Sequence, residues 1–331
     1  MRRSILGGLG TLAAVALLGS AVAPTASASM AKEKSAGEHC RDSANARVMK
    51  GTSKWADPNT LTRREAAAQE ARAHRMIARS GIQTGARPNG SVKIRVHFHG
   101  VTDHAGHNFV TKKRFKRQIN VLNKAFGGRT GPNAANTPFR FRLASIDRTK
   151  NNKWFNANYF TDIGKQRLRN MRRALHVGNA RDLNLYTIGP NFQLLGLATF
   201  PADYQKFPRL DGSVLLAGSL PGGNANFGPG AVYNKGDTAT HEIGHWLNLY
   251  HTFQGGCSQL NDYVTDTPKQ FPGNNIFVCD TTLNTCPPFG TNDRDPVKNF
   301  MNYVDDPCMN QFTRGQRERM NTGWFIRRAL S

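Results

Sequence analysis

The segment HEIGHWLNLYH, residues 241–251, carries three histidines and one glutamate at spacings that suit a bound metal ion. An α-helix places residues i and i+4 on one face, so His241 and His245 can share a metal. Because the helix rises about 1.5 Å per residue, an unbroken helix would leave His251 roughly 15 Å along the axis from His241. The third histidine therefore joins the site only if the helix ends between them, and we expect it to end at Asn248.

The chemistry that this segment predicts is hydrolysis at a zinc ion. Three neutral imidazoles, from His241, His245 and His251, and one water form the open four-coordinate site of catalytic zinc. The metal lowers the pKa of that water and polarises a bound carbonyl group. Glu242 would lie beside the metal, where it can act as general base on the water and pass the proton to a leaving amine.

The first residues predict export. The 331-residue chain starts with the basic MRRS and the apolar run ILGGLGTLAAVALLGSAVA, which the small-x-small sequence Ala26-Ser27-Ala28 follows. This order is typical of a secretory signal peptide, predicted over residues 1–28, rather than of a transmembrane anchor. No other stretch is long and apolar enough to span a bilayer, so we expect a secreted, extracellular protein.

Residues 29–90 are polar and contain few large apolar residues. Thr62 and Glu65 match a capping box, which predicts a helix through AAAQEARAHRMIA, and SGIQTGARPNGS is expected to be an exposed linker. We interpret 29–90 as a propeptide that is cleaved near Arg79 or Arg87, with a flexible extension as the alternative. Residues 91–331 would then be the catalytic domain.

Strands and helices alternate from residue 91, which indicates an α/β layer structure. The expected strands are VKIRVHFHGV, TPFRFRLASI, LNLYTIG, LLGLATF and SVLLAGS. The expected helices are KKRFKRQINVLNKAF, GKQRLRNMRRALHVG and the histidine helix, with Asp237 or Thr238 as its N-cap. After residue 252 the chain is irregular, with a last helix near TRGQRERMNTGW.

Four of the five cysteines lie in the irregular part: Cys257, Cys279, Cys286 and Cys308. In an oxidising compartment they can form two disulfides in three pairings. A zinc cluster is the alternative, although the C-x-x-C pairs typical of such clusters are missing. Cys40 is left without a partner in this count.

The net charge of +23 is concentrated before residue 256. Such a field favours polyanions, including acidic cell-surface polymers, and the runs KKRFKR (112–117) and RLRNMRR (167–173) are candidate contacts. Solvated helix faces explain these runs equally well, and no nucleic-acid-binding motif accompanies them. A second metal at His97 and His99, or at His104 and His107, is not expected, because these histidines have no evident acidic partners.

The segment HEIGHWLNLYH resembles the H-E-x-x-H-x-x-G-x-x-H signature of the metzincin metalloproteases. HTFQGGC, DYVTDTP (262–268) and NFMNYVDDPCMNQFTRGQ (299–316) resemble the pappalysin family in particular, as do VLNKAF, FRFRLASI, DLNLYTIG and LLGLATFP. The resemblance covers about residues 91–325. Asn248 stands where the family has glycine; asparagine also tolerates the left-handed backbone of such a turn, so we predict φ > 0 at Asn248.

The resemblance implies a metzincin fold, with a mixed twisted sheet and the active-site helix above an irregular, disulfide-bonded lower subdomain. It implies that Met301 lies in the turn beneath the zinc and that Tyr303 stabilises the oxyanion of the tetrahedral intermediate. It also pairs the late cysteines first with third and second with fourth, which gives Cys257–Cys286 and Cys279–Cys308.

Two further sites follow from the resemblance. Calcium occurs in some relatives, and Asp262, Asp266 and Thr267 offer oxygen ligands at plausible spacing. The Cys40 thiolate could occupy the open position of zinc and keep a precursor latent, with an inert or dimer-forming thiol as the alternative.

The sequence thus predicts a secreted zinc endopeptidase that acts on protein or peptide substrates, made as a latent precursor, with an upper-rim strand near LLGLATF or SVLLAGS that pairs with substrate. Asp305 and Asp306 could favour a basic side chain beyond the scissile bond. The alternatives are a basic polyanion-binding protein with a vestigial zinc site and a zinc exopeptidase.

Overall fold

The computed structural model describes residues 44–50, 61–81, 85–286 and 293–329, all within one compact unit that spans residues 41–331. The predicted signal peptide and Cys40 lie outside the described residues. None of the helices in the described part of the chain is long and apolar enough to cross a lipid bilayer.

One mixed sheet organises the described chain, with its strands in the order β1-β5-β6-β4-β2-β3. The strands are β1 (Ala44–Arg47), β2 (Val92–Thr102), β3 (Phe139–Lys150), β4 (Asp182–Ile188), β5 (Gly196–Thr199) and β6 (Ser213–Leu216). β2, β3, β4 and β6 pair with one another in parallel, whereas β5 is antiparallel to β6 and β1 is antiparallel to β5. The expected strands are all present, and β1 is an addition that the sequence did not indicate.

Six α-helices pack around this sheet in the described residues. They are α1 (Arg63–Ser80), α2 (Lys112–Ala125), α3 (Asn152–Phe155), α4 (Asp162–Leu175), α5 (Asp237–Trp246) and α6 (Arg314–Ala329). The capping box of α1 is confirmed, because Thr62 and Glu65 each bond the backbone of the other. α6 extends beyond the predicted segment at its carboxyl end.

Alternation along β2 places its apolar side chains on one face of the sheet. Val92, Ile94, Val96 and Phe98 are buried there, and the apolar stripe of α2 packs against them in the same cluster as α5. Because burying each such side chain contributes roughly 1.5–3 kcal/mol, this layer fixes α5 firmly beneath the sheet.

The amino end of α5 differs from the prediction. Its N-cap is Gly236, at φ 100° and without a side-chain capping bond, and Asp237 is already the first helical residue. The expected cap is replaced from a distance: the Asp306 carboxylate accepts hydrogen bonds from the backbone N–H groups of Lys235 (2.8 Å) and Asp237 (3.4 Å). A negative charge at a helix amino end is favourable, whichever part of the chain supplies it.

Between α5 and α6 the described chain consists mostly of turns, with a 3₁₀ helix at Asn274–Phe277. Two disulfides cross-link this region in the pairing that the resemblance implied, Cys257–Cys286 and Cys279–Cys308. The fold is therefore a mixed α/β layer with an irregular, disulfide-bonded lower part.

Candidate active site

The helix α5 ends where the sequence predicted. Its last residue is Trp246, and Asn248 has φ 83°, which confirms the left-handed turn. The Asn248 N–H bonds the carbonyl of His245 (2.8 Å) and the Leu249 N–H bonds that of Gly244 (2.9 Å). These two bonds form a Schellman motif, the common way to satisfy the last carbonyls of a helix while the chain reverses.

The reversal brings the three histidines together. Their Nε2 atoms lie 3.0, 3.1 and 3.2 Å from one another, in the pairs His245–His241, His245–His251 and His241–His251. Tetrahedral coordination with metal–nitrogen bonds of about 2.05 Å requires a spacing of about 3.3 Å, close to the distances found. In the described residues this is the one cluster of histidine, cysteine or acidic side chains that could hold a metal ion.

Backbone carbonyls orient two of these rings. His241 Nδ1 lies 2.7 Å from the carbonyl oxygen of Phe300, and His245 Nδ1 lies 2.8 Å from that of Leu249. A carbonyl can only accept, so each Nδ1 carries the proton and each Nε2 presents its lone pair to the centre of the cluster.

Burial keeps the three imidazoles neutral. Desolvation lowers the pKa of His245 to about 3, and it lowers the pKa values of His241 and His251 well below their usual range, where neighbouring histidines add to the effect. Neutral imidazole is the form that binds a divalent metal, so the donor set fits zinc.

The floor of the site is the segment that contains Met301. Met301 is fully buried, and its sulfur lies so close to α5 that any side chain at Gly244 would collide with it. Tyr303 follows two residues later, with its ring centroid 4.7 Å from that of His251 and 5.8 Å from that of His241. The phenol is thus held next to the histidine cluster.

Glu242 projects from α5 towards strand β5. A methyl group placed on Gly196 would lie 2.6–2.7 Å from the Glu242 side chain, closer than carbon atoms approach one another. The absence of a side chain at Gly196 therefore leaves the space that the Glu242 carboxylate occupies.

A peptide bond of the chain itself lies against these groups. Strand β1 pairs with β5, with Ala46 opposite Leu197 and Arg47 opposite Gly196. The Tyr303 hydroxyl donates to the Ala46 carbonyl (2.6 Å), and the Arg47 N–H donates to Glu242 Oε1 (3.0 Å). The two side chains thus contact opposite ends of the same peptide bond.

The side chain of Arg47 fills a closed polar pocket. It is fully buried, and its guanidinium donates to Asp306 Oδ1 (2.8 Å), the Thr238 hydroxyl (2.9 Å) and the Val304 carbonyl (2.7 Å). The Tyr233 ring covers it at 5.2 Å. Three acceptors around one planar cation form a binding site suited to arginine.

The residues proposed for calcium divide into two groups. Asp262 and Thr267 are buried next to each other, and the Thr267 hydroxyl favours the charged form of the Asp262 carboxylate. Asp266 instead caps α6, because its carboxylate accepts bonds from the Thr313 hydroxyl (2.7 Å) and the Gly315 N–H (2.8 Å).

Three of the four other histidines named above, His97, His99 and His107, have acidic neighbours, contrary to the expectation. His99 bonds Asp147 and Asn184, and His107 bonds Asp103. Register between β2 and β3 places Asp147 opposite His99, which a single strand pattern cannot show, whereas Asp103 lies four residues before His107 in the same loop.

Sequence reasoning missed three contributors to the site: Gly196, the Ala46–Arg47 peptide bond and Arg319. The Arg319 guanidinium donates to the Asn248 carbonyl (2.7 Å) and to both carboxylate oxygens of Glu70 on α1 (2.6 and 3.0 Å). Only the departure from glycine at Asn248 gave a signal that this turn needed support.

The mixed sheet, the three-histidine cluster on a helix and the following turn, and the buried methionine beneath it define a metzincin-type metalloprotease. A model of the pregnancy-associated plasma protein-A family, the pappalysins, matches residues 228–324. The chain is 38% identical to an extracellular metalloprotease of Verticillium alfalfae over 80% of this chain and 84% of that protein. A second relative, from Colletotrichum graminicola, is 36% identical over 72% and 78%.

Two solved structures agree with these relatives. A mutant of Tannerella forsythia promirolysin superimposes with a TM-score of 0.61, at 26% identity over 81% of this chain and 92% of that one. Mature mirolysin in complex with a cleaved peptide gives 0.57, at 29% identity over 73% and 96%. The chain belongs to the pappalysin family of metalloproteases.

Proposed function

We propose that the protein is a secreted zinc endopeptidase in which His241, His245 and His251 hold the metal. Bound zinc would activate a water molecule and polarise the scissile carbonyl. The proposal rests above all on the peptide bond that Glu242 and Tyr303 contact from its two ends beside the histidine cluster.

The chain's own residues have distinct tasks in this reaction. Glu242, at hydrogen-bond distance from an amide nitrogen, takes a proton from water and delivers it to the departing amine. Tyr303, at hydrogen-bond distance from the carbonyl oxygen, donates to the negative charge that develops there. β5 holds the substrate backbone in extended form by adding it as a strand.

Cleavage within a chain is favoured over cleavage at an end. The bound segment continues on both sides of the contacted peptide bond, from Ala44 to Lys50, and β1 pairs with the rim strand on the amino side. The mirolysin structure with a cleaved peptide supports the same class of substrate.

We further propose that the enzyme prefers arginine immediately after the scissile bond. Arg47 occupies that position, and Asp306 supplies a buried counter-charge. The Val304 carbonyl and the Thr238 hydroxyl complete a fork that a lysine ammonium can match only in part.

The occupied cleft supports a latent precursor. While Arg47 fills the pocket and β1 covers β5, no second peptide can take the same place. Latency through Cys40, and the propeptide boundary at residue 90, remain predictions from the sequence.

Calcium is proposed at Asp262 and Thr267, joined by Asn261, whose Oδ1 is buried without a hydrogen-bond partner in the described chain. Burial raises the pKa of Asp262 to about 8, although the Arg319 guanidinium acts against this shift. A bound cation would favour the charged form of the Asp262 carboxylate. Calcium suits this site because it prefers oxygen ligands. A rise in melting temperature with Ca²⁺, and not with Mg²⁺, that Asp262→Asn removes would support this site.

The central test is Glu242→Ala in zinc-loaded, matured protein, with Glu318→Ala on the exposed face of α6 as the control. Peptides blocked at both termini should be cut by the control and not by Glu242→Ala, while zinc content stays equal in both. Unchanged biological activity in Glu242→Ala would favour the polyanion-binding alternative, for which the basic helix faces are the candidate contacts.

A further inference from the structure

One face of helix α6 lies along the carboxyl end of the active-site helix. Arg319, Gly323 and Arg327 follow one another at intervals of four residues, so they share this face of α6. All three lie against the segment in which α5 ends and the chain turns towards His251. The face therefore meets the part of the chain that brings in the third histidine.

The two arginines of this face donate to carbonyl groups at the end of α5. Arg319 Nε donates to the Asn248 carbonyl (2.7 Å), and Arg327 Nε donates to the Trp246 carbonyl (2.9 Å). The Schellman motif already satisfies two earlier carbonyls, and the arginines satisfy two more. A cation is favourable at this place, because the carboxyl end of a helix carries a partial negative charge.

Gly323 allows α6 to approach the turn closely. A methyl group on this glycine would collide with the Leu247 carbonyl oxygen and would lie 2.7 Å from Asn248 Cβ. The backbone of α6 therefore packs directly on the turn. Asn248 is buried there at φ 83°, a conformation that costs free energy for a residue other than glycine.

Arg327 is tied to the fold more widely. Its guanidinium forms a fully buried ion pair with Asp211 (2.9 Å) and lies 3.6 Å from the centroid of the Trp246 ring. Because the loss of one partner from a buried ion pair is strongly destabilising, a substitution at Arg327 would disturb more than the turn. Arg319 is therefore the arginine whose effect on the turn can be measured by itself.

Arg319 contacts both ends of the segment that precedes the third histidine. Besides its bond to the Asn248 carbonyl, its guanidinium lies 4.5 Å from the centroid of the Tyr250 ring, within the range of a cation–π contact. Tyr250 comes directly before His251 in the chain. Only 9% of the Arg319 side chain is exposed, so these contacts are made away from bulk water, where they are stronger.

We propose that Arg319 is a positioning residue for the third zinc ligand. It holds the turn from Asn248 to Tyr250 in the conformation that places His251 Nε2 next to those of the other two histidines. The inference rests on the zinc site proposed above. Where the family signature has glycine, the backbone adopts this turn at little cost. Asparagine needs support from outside the turn, and Arg319 supplies it through the backbone.

The test measures the zinc affinity of the full-length chain by competition with a chelating dye. Arg319→Met keeps the stem of the side chain without its donors, Arg319→Lys keeps the charge, and Arg314→Gln alters an exposed arginine of the same helix as the control. The zinc Kd should rise about tenfold or more in Arg319→Met, because groups that orient metal ligands typically contribute this much. It should rise less in Arg319→Lys and stay unchanged in Arg314→Gln. A Kd in Arg319→Met equal to that of the wild type would overturn the proposal.

A second control separates the turn from helix α1. Arg319 also donates to both carboxylate oxygens of Glu70 on α1, so its loss loosens α1 as well. Glu70→Gln should loosen α1 while Arg319 stays on the turn, and the zinc Kd should remain that of the wild type. An equal rise in Kd in Glu70→Gln and Arg319→Met would assign the effect to α1 and refute the role of Arg319.

A double-mutant cycle with Asn248→Gly separates positioning from general stability. Glycine adopts the left-handed turn without support, so Arg319→Met should raise the zinc Kd by no more than about threefold in the Asn248→Gly background. If Arg319 only stabilised the fold, the loss would be the same with asparagine and with glycine at residue 248, and such additivity would contradict the proposal. Where Arg319→Met does not fold, the same cycle is measured with Arg319→Lys.

Cobalt(II) in place of zinc reports the ligand geometry. Its visible absorption is strong at a four-coordinate site and weak at a six-coordinate site, so Arg319→Met should lose intensity and the double variant with Asn248→Gly should regain it. Undiminished absorption in Arg319→Met would show that the third ligand needs no such support. If the wild type binds zinc and Arg319→Met binds it equally well, this inference fails alone; if the wild type binds no zinc, the proposed function fails with it.

Discussion

Replacement of Asp306 by asparagine isolates the charge in the arginine pocket. Asp306 and Arg47 are both fully buried, and their atoms Oδ1 and Nη1 lie 2.8 Å apart. Removal of one partner from a buried ion pair costs about 3–5 kcal/mol, because the other charge is left without compensation. Since about 1.4 kcal/mol corresponds to a factor of ten, kcat/KM for a substrate with arginine after the scissile bond should fall by roughly a hundredfold or more in Asp306→Asn.

The assay is a two-by-two comparison in matured enzyme. One peptide carries arginine after the scissile bond and the other carries citrulline, which has nearly the same shape without the charge. The wild type should have a much higher kcat/KM for the arginine peptide than for the citrulline peptide, and Asp306→Asn should lose this difference. The coupling free energy between the Asp306 charge and the arginine charge should be about 3 kcal/mol. Asp305→Asn, at the neighbouring carboxylate that does not contact Arg47, is the control. Equal losses for both peptides in Asp306→Asn would show that Asp306 only supports the fold.

Three further predictions concern the parts that frame the site. Asn248→Gly should raise the melting temperature, because the substitution removes about 1 kcal/mol of left-handed backbone strain. Asn248→Ala should lower the melting temperature. Calorimetry measures the melting temperature of both variants. Gly196→Ala should reduce kcat at least tenfold, with zinc content unchanged, because its methyl group displaces Glu242. Burial alone would raise the pKa of Glu70, but the hydrogen bond and charge of Arg319 lower this pKa below 4.5. The anchoring of α1 by the charged Glu70 should therefore be complete above pH 4.5 and be lost as the pH falls further. Hydrogen exchange in α1 measures this loss, and Glu70→Gln should remove the pH dependence.

Each of these has a matched control. Asn108 has φ 58° in a loop, so Asn108→Gly should also add stability, but without any effect on zinc affinity. A methyl group on Gly100 of β2 would meet its neighbours at ordinary contact distance, so Gly100→Ala should keep full activity. Loss of activity in Gly100→Ala would contradict the steric explanation for Gly196. If α1 in the Glu70→Gln variant were released only at low pH, the role of the Glu70 charge would be contradicted.

Local sequence patterns were sufficient for strands β2 to β6, for every described α-helix except α3, and for the three-histidine cluster. His241 and His245 follow from helical spacing alone, and the end of α5 at Asn248 follows from the length of a helix and the backbone tolerance of asparagine. These features depend on residues that are close together in the chain.

The parts that could not be predicted depend on residues far apart in the chain. The ANAR segment of β1 has no strand-like alternation, and its pairing with β5 joins residues about 150 positions apart. The N-cap of α5 was misplaced because Asp306 takes over the capping role from 70 residues away. Likewise the sequence did not indicate the contacts of Asp266 with Thr313 and Gly315 at the start of α6.

The arginine pocket has a consequence for how the chain first folds. Asp306 is buried beside the partly exposed Asp237, and desolvation together with the Asp306 charge raises the pKa of Asp237 well above its usual range. The Arg47 guanidinium partly offsets these negative charges. A chain that lacked its first ninety residues would have to bury the same carboxylates without this cation. We therefore expect such a chain to fold less favourably than the full chain, because a buried carboxylate without its counter-charge is costly.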